Sequence, residues 1–249
     1  MSTFDTECFE ALRNSQWLGR SIHARGTISS TMDLAFDDAK DGASHGHVVI
    51  ADEQLAARGS HGRTWVGTDQ LTFSLVLRVE LPPAACPPLT LAAGLGVADC
   101  AGGLLPQDVR IKWPNDVLVA DQKVAGILSE TRGECIVVGI GLNIADDPSL
   151  SQFSATSLGR CGAAVTREEV LARLCSSLEL RFDTHLRSGA SATARALEER
   201  LAWRGEEVTC GERVGRLVGV ADDGRLILRN DGVEFRVSSG TLRRRDSDA

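Results

Sequence analysis

The chain has no apolar run approaching the roughly twenty residues that cross a bilayer, so no membrane partner is expected. Its opening, MSTFDTECFE, lacks a basic start followed by an apolar stretch, and no secretory signal is expected either. None of the seven cysteines (Cys8, Cys86, Cys100, Cys135, Cys161, Cys175 and Cys210) stands in a C-x-x-C pair, which makes a thiolate zinc site a poor reading. Their odd number and the missing export signal favour reduced thiols in a cytoplasm, most of them small buried apolar residues. Positive charge is not in excess: 27 basic residues face 34 acidic ones, and the net charge of -7 gives a nucleic-acid duplex no help from the overall field. Repeats and low-complexity tracts are absent. What remains is 249 residues, 43% hydrophobic and 24% charged, enough for one large globular domain or a main domain with a small appendage.

Periodicity places a helical lead-in over residues 1–20, with Phe4, Cys8, Leu12 and Trp17 roughly along one face, and a strand over 21–28. Ser29 and Ser30 lead into a helix running through Ala39, with Ser30 as its cap. A β-branched strand at 47–51, a Gly-, Ser- and Arg-rich loop at 54–65, an alternating strand at 71–79 and a helix at 89–104 follow. Four strands come next, at 109–112, 117–120, 123–130 and 134–143, the second and third joined by a turn at Asp121-Gln122. Residues 167–187 form an amphipathic helix burying Val170, Leu171, Leu174, Leu178 and Phe182, and another helix covers about 192–203. Short strands at 207–210, 213–220, 225–229 and 232–238 then alternate with Gly- and Asp-rich turns, the pattern of a small β-barrel. A domain boundary is placed near residue 205, and Arg243-Arg244-Arg245 reads as a solvated tail.

Four segments carry chemistry that is odd for structure alone. Residues 57–65 combine two glycines, which admit close backbone approach, with Arg58 and Arg63, which suits phosphate or carboxylate binding; a solvated loop explains them equally well. The order G-x-x-x-x-G-K-[ST] of a phosphate loop is missing. Lys112-Trp113-Pro114-Asn115-Asp116, at a strand end, could grip a nucleotide, and Asp116 could hold magnesium; taken alone, Pro-Asn-Asp is ordinary turn chemistry. Lys123 opens the nearly apolar run Val124-Ala125-Gly126-Ile127-Leu128, where a cation is costly unless it meets an anion, although a surface lysine at a strand start is commoner. Gly139 and Gly141 alternate inside an apolar strand that ends at the polar Asn143, a mark of close approach by something else, but the dinucleotide fingerprint fails for want of a third glycine and a helix.

In order and wording these segments resemble the biotin protein ligase family. The family's K-W-P-N-D stands at 112–116, its K-x-x-G-I-L-x-E at 123–130 and its V-G-x-G-x-N at 138–143. An S-T element matches Ser30-Thr31, and the G-R-G-R-x-G-R-x-W loop matches residues 57–65 with Ala57 and Ser60 as departures. Met32 stands where an Asn is frequent, and these departures give the expectation of looser adenylate retention.

The resemblance implies an α+β fold: a mixed, mostly antiparallel sheet flanked by helices, like class II aminoacyl-tRNA synthetases, with a small C-terminal SH3-like barrel. Residues 1–205 would be catalytic and 206–249 the small β-domain. It implies a ligase that joins biotin and ATP into biotinyl-5′-adenylate and passes biotin to a lysine of a carboxylase's biotin carboxyl carrier domain. Ser30, Thr31, Gln54, Arg58, Trp65, Lys123 and Gly126 would bind biotin. Arg58, Arg63, Lys112, Asn115, Asp116 and Asn143 would bind ATP, and Asp116 would also hold magnesium. Arg58, Lys112, Asp116 and Lys123 would serve the chemistry, with Asp116 the candidate acceptor of the attacking lysine's proton. No specific DNA partner is expected, because the family's longer members carry a helix-turn-helix domain for which this N-terminus lacks room. A homodimer is left open. The rivals are a lipoate or octanoyl ligase on the same catalytic fold and a non-catalytic biotin-binding module.

Overall fold

A computed structural model describes residues 3–59, 70–79, 86–147, 149–150 and 154–245. Seven strands, β1 (Ile22–Ile28), β2 (Val48–Gln54), β3 (Gln70–Arg78), β4 (Val109–Lys112), β5 (Asp116–Val119), β6 (Gln122–Arg132) and β7 (Cys135–Asn143), form one sheet in the order β1-β2-β3-β7-β6-β5-β4. Only β1 and β2 run parallel, and every other neighbouring pair is antiparallel. The expected mixed, mostly antiparallel sheet is therefore found.

Its centre is apolar on both faces, and the two-residue period of a strand sorts the side chains. Val48, Ile50, Leu75, Leu77, Ile136 and Val138 join the main core. Their alternates Val49, Val76 and Val137 meet Met32, Ala35, Phe36 and Ala39 on helix α2 (Thr31–Lys40). On the main-core face lie α3 (Cys86–Gly102), α4 (Arg167–Ser188) and α5 (Ala190–Glu198). Helices α3 and α4 approach so closely at Gly96 that a Cβ there would stand 2.9 Å from the Leu178 Cα, and no larger residue fits. Helix α4 begins in a reciprocal cap: Thr166 accepts from the Glu169 N–H, and Glu169 accepts from the Thr166 N–H. Its apolar face is the one read from the sequence.

Several boundaries differ from the expectations. The lead-in yields one short helix, α1 (Thr6–Leu12), capped by Asp5, which accepts from the Cys8 N–H. Residues 16–18 are instead held by a carboxylate: buried Glu179 of α4 accepts from the backbone N–H groups of Gln16, Trp17 and Leu18 at 2.7–2.9 Å. The hairpin turn lies one residue earlier than expected, with positive φ at Ala120 (47°) and Asp121 (64°), the pair of left-handed residues that a tight two-residue turn requires.

Five further strands, β8 (Glu207–Cys210), β9 (Arg213–Val220), β10 (Leu226–Asn230), β11 (Val233–Val237) and β12 (Leu242–Arg244), form a second, antiparallel sheet ordered β11-β10-β9-β8-β12. The expected barrel is not closed: among the described residues no pairing joins β11 to β12. Both edge strands are short, and β11 places Glu234 and Arg236 along its rim, a charged edge that discourages further pairing. The run Arg243-Arg244-Arg245 is no free tail. Its first two residues belong to β12, Arg244 reaches Asp121 and Glu206, and Arg245 meets Glu207.

The two sheets are stitched at β4. Ile111 exchanges backbone hydrogen bonds with Arg200 and Ala202, the Trp113 Nε1–H donates to the Gly224 carbonyl (2.9 Å), and the Trp203 Nε1–H donates to Asp121 (3.0 Å).

Replacing Glu179 with Ala strips three backbone donors of their acceptor and should lower unfolding free energy by about 1.5–3 kcal/mol in urea denaturation. A loss below about 0.5 kcal/mol, the size of a neutral surface change, would show that this carboxylate does not anchor the N-terminal segment.

Candidate active site

A cavity of about 260 Å³ opens between the N-terminus of α2, strand β3 and the β6–β7 pair. Its polar wall begins at Ser30. This residue takes the N-cap position of α2 in extended conformation, yet its side chain makes no capping bond. Gln54, at the end of β2, supplies the acceptor instead: its Oε1 takes the Thr31 N–H (2.7 Å) and the Thr31 hydroxyl (3.1 Å). The Thr31 Oγ1 also lies 2.8 Å from the Ser74 Oγ on β3. The capping work is thus moved to Gln54, and the buried Ser30 hydroxyl lines the cavity without serving its own helix.

Two cations reach the same space from opposite sides. Arg58 lines the cavity and is forked onto Asp33 of α2 (2.9 and 3.0 Å), with Glu130 of β6 at 3.7 Å. The hydrogen bonds it donates to Asp33 raise its guanidinium pKa above the usual value against the opposing effect of burial, and Glu130 adds to the rise. Arg132 meets the same two carboxylates at 3.3 and 3.5 Å, so this group of four is balanced.

Lys123, at the head of β6, is the second cation. Its Nζ lies 2.5 Å from Asp116 Oδ1, while the Lys112 Nζ lies 3.6 Å from Oδ2. Two ammonium groups thus share one buried carboxylate. Lys112 also stacks over the Trp203 ring, 5.5 Å from its centroid, and does not line the cavity.

The floor is made of β6 and β7. Gly126, Gly139 and Gly141 line it. A Cβ on Gly139 would stand 2.9 Å from Met32 Cγ and Sδ, so glycine here makes room for α2 and keeps the cavity open. Asn115 ties its turn to β6: its Nδ2 donates to the Ile127 carbonyl and its own carbonyl accepts from the Ile127 N–H, each at 2.9 Å. Asn143 donates to the Thr156 carbonyl (2.8 Å), but its Oδ1 is buried without a partner among the described residues, an acceptor in the cavity wall that a ligand would satisfy.

The structure therefore gathers Ser30, Thr31, Gln54, Arg58, Asn115, Lys123, Gly126 and Asn143 around one cavity. Lys112 and Asp116 stand behind it, acting on it through Lys123. Arg63, Trp65 and Ser60 lie outside the described residues. Ala57 keeps a negative φ, so its side chain carries no backbone strain. Asp116 does not fit the expected role of magnesium ligand, since a hard dication wants several free oxygen donors and both of its oxygens face ammonium groups. The same engagement argues against it as a proton acceptor and fits a positioning role. Sequence reasoning missed Asp33 and Ser74. A lone Ser inside the apolar run Leu71–Leu77 was the available signal for the latter.

Residues 25–143 match the model of the biotin/lipoate A/B protein ligase family. The chain is 37% identical over 246 residues to a biotin–[acetyl-CoA-carboxylase] ligase of Mycobacterium tuberculosis, covering 92% of this chain and 90% of that one. It is 30% identical to the bifunctional ligase/repressor BirA of Escherichia coli over 86% of this chain and 71% of the relative. The structure superposes on biotin protein ligase from Aquifex aeolicus in complex with biotin and ATP with a TM-score of 0.80 and 27% identity, over 90% of this chain and 99% of that one. Fold, cavity and sequence agree: this chain belongs to the biotin protein ligase family.

Proposed function

We propose that the protein activates biotin with ATP, forming biotinyl-5′-adenylate and pyrophosphate, and transfers the biotinyl group to a lysine of a biotin carboxyl carrier domain, releasing AMP. The observation that carries this reading is the convergence of Arg58 and Lys123, from separate segments, on a cavity that Ser30, Thr31 and Gln54 also line. The relatives named as biotin ligases and the Aquifex complex with biotin and ATP support it.

The chemistry joins two anions, a carboxylate and the α-phosphate of ATP, so fixed positive charge is the main requirement. The Ser30, Thr31 and Gln54 groups suit a ureido ring, whose donors and acceptors must all be met once buried. That requirement sets specificity for biotin over an analogue without the ring nitrogens. Arg58 and Lys123 then flank the place where carboxylate and phosphate meet. Both cations are held by carboxylates: Lys123 by Asp116, which it shares with Lys112, and Arg58 by Asp33 and Glu130. Asp116 positions Lys123, and Lys112 completes that ion pair. Asn143 is placed to satisfy adenine or ribose through its unpaired Oδ1. Magnesium would supply charge neutralisation on the ATP phosphates. Residues 1–205 would carry all of these groups, with 206–249 buttressing the 112–116 turn through the Gly224 carbonyl, which accepts from Trp113.

Lys123→Ala should cut biotin transfer to a carrier domain on the order of a hundred- to a thousand-fold while the protein stays folded, read by mass spectrometry of the acceptor. Lipoate offered in place of biotin should give no product; efficient lipoylation would move the assignment to the lipoate branch of the family. Gly139→Ala should push Met32 into the cavity and weaken biotin binding about tenfold by calorimetry, with little change in melting temperature because methionine repacks readily. Unchanged affinity would place biotin away from the β7 glycine.

A further inference from the structure

On the far end of α2 from the cavity, three potential metal donors converge from three elements. His23 lies on β1, Asp38 in the last turns of α2, and His47 immediately before β2. His23 Nδ1 is 2.7 Å and His47 Nε2 is 2.9 Å from one oxygen, Asp38 Oδ2, and the three donor atoms all lie within 4.8 Å of one another. We propose that His23, Asp38 and His47 form a binding site for a zinc-like divalent cation, distinct from the active site.

The donor set and its spacing fit that ion. Two imidazole nitrogens and one carboxylate oxygen are a common three-ligand set for zinc, with water completing a tetrahedron. Bonds of about 2.0 Å in a tetrahedron put donors about 3.3 Å apart, so the His–Asp distances need to open by only a few tenths of an ångström. The ligand orientation is fixed in advance. The Ser21 Oγ lies 2.7 Å from the other nitrogen of His47, Nδ1, and holds that ring with Nε2 facing Asp38. Such an outer partner is what metal-bound imidazoles ordinarily have. His47 is nearly buried, but His23 and Asp38 keep about a fifth of their side-chain surface exposed (23% and 19%), which leaves an entry path.

Asp38 Oδ2 is the atom shared by both imidazoles, so one carboxylate oxygen faces the centre of the triad. The consequence would be structural. Asp38 lies on the helix whose first residues, Thr31 and Met32, line the cavity, so the ion would clamp α2 to β1 and β2.

The test is equilibrium dialysis of the full chain against zinc at neutral pH, with metal counted per chain. The proposal expects one ion per wild-type chain, at least about tenfold weaker uptake by Asp38→Asn and by His23→Gln, and a higher melting temperature with zinc in the wild type alone. Asp38→Asn keeps a hydrogen-bond acceptor for both rings. If it fails to fold, His23→Gln, at the exposed side, carries the comparison. Cobalt substitution should give intense tetrahedral visible bands without a thiolate charge-transfer band. No stoichiometric uptake, uptake unchanged in both variants, or a thiolate band would overturn the proposal and leave the three residues as a hydrogen-bonded triad.

Discussion

The Asp116 carboxylate sits between the ammonium groups of Lys112 and Lys123, and the site depends on that arrangement. A lysine is a flexible point charge on a four-carbon stem and loses much rotamer freedom when held in one place. A buried carboxylate supplies the restraint, and a second lysine balances it. The position of the triad follows from the sheet. Lys112 and Asp116 are register partners across the β4–β5 hairpin, and Asp116 faces Gly126 on β6, three residues along from Lys123.

The opposite side of the cavity uses another device. Arg58 comes from a loop but is forked onto Asp33 in the first turn of α2, and α2 is packed on the sheet through Met32, Phe36 and their neighbours. The same helix places Thr31 in the cavity wall. One rigid element therefore sets both the polar recognition end and one of the two cations, which keeps their spacing fixed. The second sheet's β9–β10 turn contributes from outside, through the Gly224 carbonyl bound to Trp113, and Trp203, just before that sheet, lies against Lys112.

Much of this was legible in the sequence because local chemistry and fold agree. The period of α4, the alternation in β3 and β7, and the polar or glycine residues interrupting apolar strands each carried their physical cause on the surface of the text. The motifs at 112–116 and 123–130 added the family resemblance. What escaped is non-local. That Glu179 caps residues 16–18 across more than 160 residues of chain has no local signature. Asp33 is an ordinary first-turn acid until Arg58 is seen beside it. Asp116 looked like a metal ligand or base because its two lysine partners, four and seven residues away, converge on it only through the register of β4, β5 and β6. Likewise the run at 243–245 reads as a tail because the acidic partners of Arg244 and Arg245 lie far away in sequence.

The most direct test of the central claim is single-turnover pyrophosphate release by Asp116→Asn, measured beside its biotin affinity. Biotin binding should stay within about twofold of the wild type, because the recognition wall is untouched. The adenylation rate should fall on the order of 100-fold, because a misplaced Lys123 no longer meets the reacting oxygens. An unchanged rate would contradict the account, since Lys123 would then need no carboxylate to hold it in place.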